Sequence, residues 1–251
     1  MNQVQIRTFS NAIETNLLMM GLYYWQESQT SKALISKDFG ILTIIVSLSF
    51  VLWSSSAIAW VPLLAHWILI EGRILQAITH GLIFAVPIIL LNLFLDYLYF
   101  GRFVISALNF LQFNVLSSGS NYFGTDHMLN YFTEHLLVQI NAFYPFFIFQ
   151  LFWSLFKSVK SRTFDPIWAV VAFYVMFISK VGHKEPRFTV PFLPLCFVMA
   201  AQSLEDFKYK FLRKENLIFK IGLTAFLLIG FGVHFNAMFN GRGFMAGDII
   251  Q

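Results

Sequence analysis

Four ionisable residues stand within one seven-residue stretch, Gly182-His183-Lys184-Glu185-Pro186-Arg187-Phe188, between two apolar runs. Charge beside hydrocarbon is costly and needs a reason. Arg187 can hold two phosphate oxygens through parallel N–H donors, and Lys184 adds a point charge. His183 contributes a donor whose charge changes near neutral pH. These types at this spacing fit a site for an anionic head group. The competing reading is a basic flank that reaches to the interface, with Glu185 paired to Lys184 or Arg187. Pro186 disfavours helical geometry at Glu185, so the cluster is expected in a loop or at a helix starting at Pro186.

A second group is Asp126-His127 followed by Glu134-His135. Two carboxylates and two imidazoles could hold a metal or act as an acid/base pair, but the eight-residue offset aligns them only if the segment is helical. The pattern is common in solvated loops, and no metal site is assigned. Asp126 is the better candidate, as a catalytic or substrate-contacting carboxylate, because Tyr122, Gly124 and Thr125 precede it in a compact aromatic turn. His127 beside it is a further candidate contact. His66, His80 and His234 stand singly in or beside apolar helices, where each is expected to satisfy a neighbouring polar group. Cys196 is the only cysteine, within an apolar run, and reads as a small buried hydrophobe. No phosphate-cradling loop, dinucleotide fingerprint or nucleophile elbow occurs, and no cofactor is called for.

The elements that must position these residues follow from composition. Of 251 residues 57% are hydrophobic and 12% charged, 31 are Phe, and the mean hydropathy is +0.66. One core of this size cannot hide so much apolar surface, and the excess must face lipid. An all-α, polytopic membrane protein is expected, forming a single multi-pass domain over 1–251. A net charge of +4 is too small to argue for nucleic acid. Residues 1–10 lack the marks of a secretory signal. About eight apolar segments are expected, at 9–25, 39–53, 57–70, 79–98, 136–156, 166–181, 188–203 and 217–234. The first carries Asn11, Glu14 and Asn16, which need partners in a membrane.

Basic residues then orient the segments. Lys32 and Lys37, then Arg73, then Lys157, Lys160 and Arg162, then Lys208, Lys210, Arg213 and Lys214 all fall in connections on one side. The long connection 99–135 and the cluster at 182–188 fall on the other. No N-glycosylation sequon marks the lumenal side. Connection 99–135 is too long for a turn and too aromatic for disorder, and it is read as a partly ordered, lumenal substrate loop. An aromatic belt that only anchors the fold is the competing reading.

The stretch His183-Lys184-Glu185-Pro186-Arg187-Phe188, with Pro191 and Leu193-Pro194 after it, resembles the signature of the eukaryotic glycosyltransferase family that uses dolichyl-phosphate mannose in the endoplasmic reticulum. Arg7-Thr8-Phe9-Ser10-Asn11-Ala12-Ile13-Glu14 is similar to a second family segment. So is Asp96-Tyr97-Leu98-Tyr99-Phe100-Gly101-Arg102, continuing through Asn109-Phe110 and Asn114 to Tyr122-Phe123-Gly124-Thr125. The resemblance implies a fold of the GT-C glycosyltransferase type in the endoplasmic reticulum membrane. It implies mannose transfer from dolichyl-phosphate mannose to a glycolipid acceptor. The branch that adds the third, alpha-1,2-linked mannose of the glycosylphosphatidylinositol (GPI) anchor matches best, through Tyr131-Phe132-Thr133, Pro145-Phe146-Phe147-Ile148 and Pro194-Leu195-Cys196. Mannosyltransferases of lipid-linked oligosaccharide assembly are the alternative, and a non-catalytic lipid-binding paralogue is a third reading. The resemblance gives His183, Lys184 and Arg187, assisted by Arg102, the role of steadying the departing phosphate, with Glu185, Tyr122 and His127 at the substrate. Family members are roughly twice this length, and the carboxylate taken as their base lies in an earlier loop. The chain is therefore expected to correspond to the central and later membrane part of such an enzyme, or to an inactive paralogue. Trp53 and Asp126-His127-Met128-Leu129 depart from the family pattern.

Overall fold

A hydrocarbon environment leaves backbone N–H and C=O groups no water to bond, so helices are the economical way to cross it. The computed structural model describes residues 2–31, 33–113, 117, 119–211 and a few helical positions between 221 and 232. Among the described residues there are helices and no strand, as an all-α membrane fold requires. Helix α1 covers Asn2–Ser28 and α2 Lys37–Leu52. Helix α3 runs over Ser54–Ile70 and α4 over Ile74–Phe100. A short α5, Ser106–Leu111, and a 3-10 turn, Gly119–Phe123, follow. Then come α6, Tyr131–Ser161, and α7, Pro166–Lys180. A 3-10 turn, Pro186–Phe192, leads into α8, Leu193–Phe211. The expected segment 217–234 and His234 lie largely outside the described residues.

Among the described residues three stretches are long and apolar enough to cross a bilayer: Ile74–Phe100, Tyr131–Ser161 and Pro186–Phe207. Helix α4 is mostly lipid-facing, with only 6% of its apolar window buried. A five-residue π-turn, Gly81–Ala85, widens it just before Pro87, where the missing N–H and the ring's bulk disturb the regular ladder. Helix α4 stops at Gly101, whose φ of 65° is left-handed and whose N–H returns to Tyr97 O at 2.9 Å. Helix α6 starts at Tyr131 with another π-turn, so residues 131–135 of the expected loop are helical. The polar run Thr133-Glu134-His135 hid that start.

The core lies where α1, α2, α3, α6, α7 and α8 meet, around Trp60, Leu63, Trp67, Val170, Val171, Phe147, Phe192 and Met199. Cys196 is fully buried there. The Trp60 ring of α3 reaches the α1 backbone because position 21 is glycine: a Cβ there would meet the ring at 2.1 Å.

A polar clamp closes one end of the bundle. Glu71 pairs with Arg73 Nε at 2.6 Å and His66 Nδ1 at 3.1 Å. Arg73 also donates to the carbonyls of Ser28, Ser31 and Gln29 at 3.1, 3.2 and 3.3 Å, covering the open end of α1. Phe164, from the connection after Lys157, Lys160 and Arg162, stacks on His66 at 4.0 Å. Arg73 and that basic connection thus share one end. His80 is buried between Ser36 and the Gln76 carbonyl, as expected of a lone helical histidine. We expect Arg73→Met to lower the unfolding free energy by roughly 2–3 kcal/mol, because it strands Glu71 and uncaps α1. Arg73→Met with Glu71→Met should regain part of that loss, read as the thermal midpoint in detergent.

Candidate functional site

The opposite end of the bundle holds the signature. Helix α7 ends at Lys180, and Val181 (φ −71°, ψ 130°) turns the chain into extended geometry. Glu185 is extended too (φ −128°, ψ 142°), and the 3-10 turn begins at Pro186, as the proline requires.

Glu185 is the hub. One carboxylate oxygen accepts from Arg187 Nη2 at 2.8 Å, and the other meets Arg187 Nε at 2.5 Å. His183 Nε2 lies 3.1 Å from the first oxygen. The carboxylate therefore takes the guanidinium from its side, through the Nε and Nη2 edge. The second fork, Nη1 with the other Nη2 hydrogen, has no partner among the described residues. The Phe188 ring lies 5.5 Å from the guanidinium carbon, which further fixes the plane. Arg187 is 31% exposed, so that fork can meet a ligand.

Lys184 is placed differently. It is buried, donates to Val181 O at 2.7 Å and lies 5.9 Å from the Tyr131 ring centre. Burial lowers its pKa from the ordinary lysine value, and the Asp126 carboxylate opposes that shift. The sequence reading put Lys184 and Arg187 side by side as head-group contacts. The structure separates them into a partly exposed guanidinium and a buried ammonium.

Residues from two other helices hold the turn. Asn11 of α1, itself buried, donates from Nδ2 to Arg187 O at 2.9 Å. One turn on, Thr15 Oγ1 lies 3.3 Å from Val190 O. Between them Glu14 accepts from the Tyr174 hydroxyl at 3.3 Å, tying α1 to α7. From α6, Gln139 donates to Pro186 O at 2.9 Å and meets the Thr189 hydroxyl through its oxygen. The polar residues of the first apolar segment needed partners, and two of them have one here. Gln139 and Thr189 were not singled out from sequence. Gln139, one of two glutamines inside the apolar run 136–156, is the signal that could have found it.

The loop before α6 docks on the same turn. Asp126 N–H donates to Gly182 O at 3.0 Å. The approach at Gly182 is close: a Cβ there would stand 1.9 Å from Asn121 Oδ1, so the Asn121 side chain would have to turn away. The Asp126 carboxylate is exposed, acts electrostatically on Lys184, and has no ion-pair partner among the described residues. His127 accepts from Leu129 N–H at 3.2 Å within its own turn. Tyr122 is 90% exposed, and Arg102 is exposed just past the end of α4; among the described residues no hydrogen bond joins either to the cluster. Described residues contain no group of three or more His, Cys, Asp or Glu that could hold a metal, so Asp126, His127, Glu134 and His135 do not gather. His135 is buried beside Tyr131 instead.

The close approach at Gly182 is testable. Gly182→Ala should turn the Asn121 side chain away, loosen the 119–127 loop and raise hydrogen exchange at the Asp126 amide by up to about tenfold, the loss of a net hydrogen bond. Adding Asn121→Ala should restore protection. Unchanged exchange in Gly182→Ala would show that the loop does not rest there.

Three comparisons bear on what this arrangement belongs to. The sequence profile of the Alg9-like mannosyltransferase family matches residues 1–250. The chain is 34% identical to mannosyltransferase APTG1 of Arabidopsis thaliana, over 78% of this chain and 35% of that protein. It is 30% identical to GPI alpha-1,2-mannosyltransferase 3 of Homo sapiens, over 80% of this chain and 35% of the relative. It is 31% identical to GPI mannosyltransferase 3 of Yarrowia lipolytica, over 90% of this chain and 42% of the relative. The chain thus spans about a third to two fifths of the length of these curated relatives. No solved structure matches it. A match over nearly every residue, on a helical membrane fold built around this turn, shows that the chain belongs to the Alg9-like mannosyltransferase family.

Proposed function

We propose that this chain supplies the lipid-phosphate side of the active site of an endoplasmic reticulum mannosyltransferase. The donor is dolichyl-phosphate mannose, the acceptor is a GPI-anchor precursor, and the product carries its third mannose in alpha-1,2 linkage. The observation that carries the reading is Arg187, held side-on by Glu185, 31% exposed, and with no partner for Nη1 among the described residues. That geometry suits two oxygens of one phosphate. The relatives named as GPI mannosyltransferases support the acceptor class.

The chemistry is a single displacement with inversion. The acceptor hydroxyl oxygen forms a bond to the mannose C1 as the C1–O bond to phosphate breaks, and the departing phosphate gains negative charge. Donors already fixed in place stabilise that charge without reorganising. Arg187 does so directly, and Lys184 adds positive potential from beneath. The hydroxyl proton needs a carboxylate. Glu185 is engaged by Arg187 and His183, whereas Asp126 is exposed, has no ion-pair partner among the described residues and is anchored through its amide to Gly182. Asp126 is thus the acceptor-side candidate within this chain. His183 serves as the second partner that steadies Glu185, and His127, Tyr122 and Arg102 stand on the open loop side for sugar or acceptor.

Complementation tests the reading. In cells lacking the third GPI mannosyltransferase, the full-length protein containing this segment should restore surface GPI-anchored proteins. Arg187→Ala should cut mannosyl transfer by roughly 10²-fold or more, and Arg187→Lys should recover little, because an ammonium cannot serve Glu185 and phosphate with two forks. Near-normal transfer by Arg187→Ala would remove the phosphate assignment.

A further inference from the structure

Asn11, Glu14, Thr15 and Leu18 fall on one face of α1, at the i, i+3, i+4 and i+7 spacing of a helix stripe. Asn11 and Thr15 reach two carbonyls of the 3-10 turn, Arg187 O and Val190 O. Glu14 stands between them and reaches the other arm of the signature: it accepts from the Tyr174 hydroxyl on α7, the helix that leads into the cluster. One face of α1 therefore holds both the segment that enters the Glu185–Arg187 pair and the segment that leaves it.

A carboxyl is an unusual choice for that place. Glu14 is 5% exposed and has no ion-pair partner among the described residues. Ser49 of α2, Ser56, Ala59 and Trp60 of α3, Leu18 of its own helix and Tyr174 of α7 enclose it. None of these side chains carries a charge near neutral pH, and the space they leave is too small to admit a water molecule. An ionised carboxylate would have one hydroxyl for company and nothing to balance its charge. The Ser56 hydroxyl is buried in the same enclosure with no hydrogen-bond partner among the described residues. The Ser49 hydroxyl donates to Ile45 O at 2.8 Å, which leaves its oxygen able to accept. A carboxylic acid suits these surroundings where a carboxylate does not. Its carbonyl oxygen accepts from Tyr174, and its own O–H offers a donor to a wall that presents serine oxygens.

We propose that Glu14 is a positioning residue for mannosyl transfer, held as the neutral acid, which bolts α1 to α7 so that Asn11 and Thr15 keep the Arg187 turn in place. The importance of that turn rests on the function proposed above. Glu14 acts through Arg187 and not on the substrate.

Transfer from dolichyl-phosphate mannose by the purified full-length protein tests this. Glu14→Gln keeps a neutral group with a donor and an acceptor, and should transfer mannose at close to the wild-type rate. Glu14→Leu, similar in size and without hydrogen bonds, should lower kcat/KM by about tenfold. That loss should vanish in an Arg187→Ala background, because a turn without its guanidinium has nothing left to aim. If Glu14→Leu does not fold, Tyr174→Phe, which keeps the ring and removes the donor, carries the same cycle. The infrared difference spectrum between wild type and Glu14→Gln should hold the carbonyl band of a protonated carboxyl, displaced by Tyr174→Phe. A carboxylate band in its place, or a loss in Glu14→Gln as large as in Glu14→Leu, would overturn the neutral state. Losses from Glu14→Leu and Arg187→Ala that multiply would overturn the positioning role. Hydrogen exchange at the Phe188 amide, which donates to Glu185 O at 3.1 Å, reads the turn without the reaction. Faster exchange in Glu14→Leu and not in Glu14→Gln, with transfer indifferent to Arg187→Ala, would uphold the bolt while overturning the phosphate reading.

Discussion

The contact between Glu185 and Arg187 decides what the signature can be. At the edge of a membrane an isolated guanidinium or carboxylate is costly, and each can stay only if the other compensates it. Paired side-on, the two nearly neutralise each other and fix the arginine plane while leaving its second fork open. This pairing needs Glu185 in extended geometry, which Pro186 imposes, and it needs the Arg187 backbone held still. Asn11 supplies that restraint from a helix 176 residues earlier in the chain. The same pressure to satisfy every polar group explains why Gln139 and Thr15 reach the turn from inside apolar helices.

The two ends of the bundle use the same chemical parts to different effect. At each, a glutamate stands between a histidine and an arginine at nearly equal distances. At the Glu71 end Arg73 also donates to three backbone carbonyls, and the cluster serves as a clamp on α1. At the Glu185 end Arg187 Nη1 has no partner among the described residues, and the side chain is 31% exposed. Composition alone would not tell these clusters apart; the partners of the arginine's remaining N–H groups do.

Much of the site was legible because its residues are conspicuous where they stand. Charges between apolar runs marked 182–188, Pro186 marked the start of a turn, and the alternation of basic connections put Arg73 with Lys157 and the cluster with the Asp126 loop. The family resemblance was carried by those same motifs and agrees with the family match. The rest depended on tertiary contact. Nothing local says that Lys184 is buried while Arg187 stays partly exposed, because that follows from Tyr131 and Val181 lying against one and not the other. The start of α6 at Tyr131 was masked by the polar run Thr133-Glu134-His135, of which only His135 is buried. Gly182 reads as a loop glycine until Asn121 is seen 1.9 Å from where its Cβ would be.

A structure of the full-length protein with dolichyl-phosphate mannose bound tests the central claim most directly, through the position of the phosphorus atom relative to Arg187. The account predicts two phosphate oxygens within hydrogen-bonding distance of Nη1 and Nη2 while Glu185 keeps Nε and Nη2 on the other edge. A phosphate that displaces Glu185 from Arg187, or one held away from the signature altogether, would contradict it.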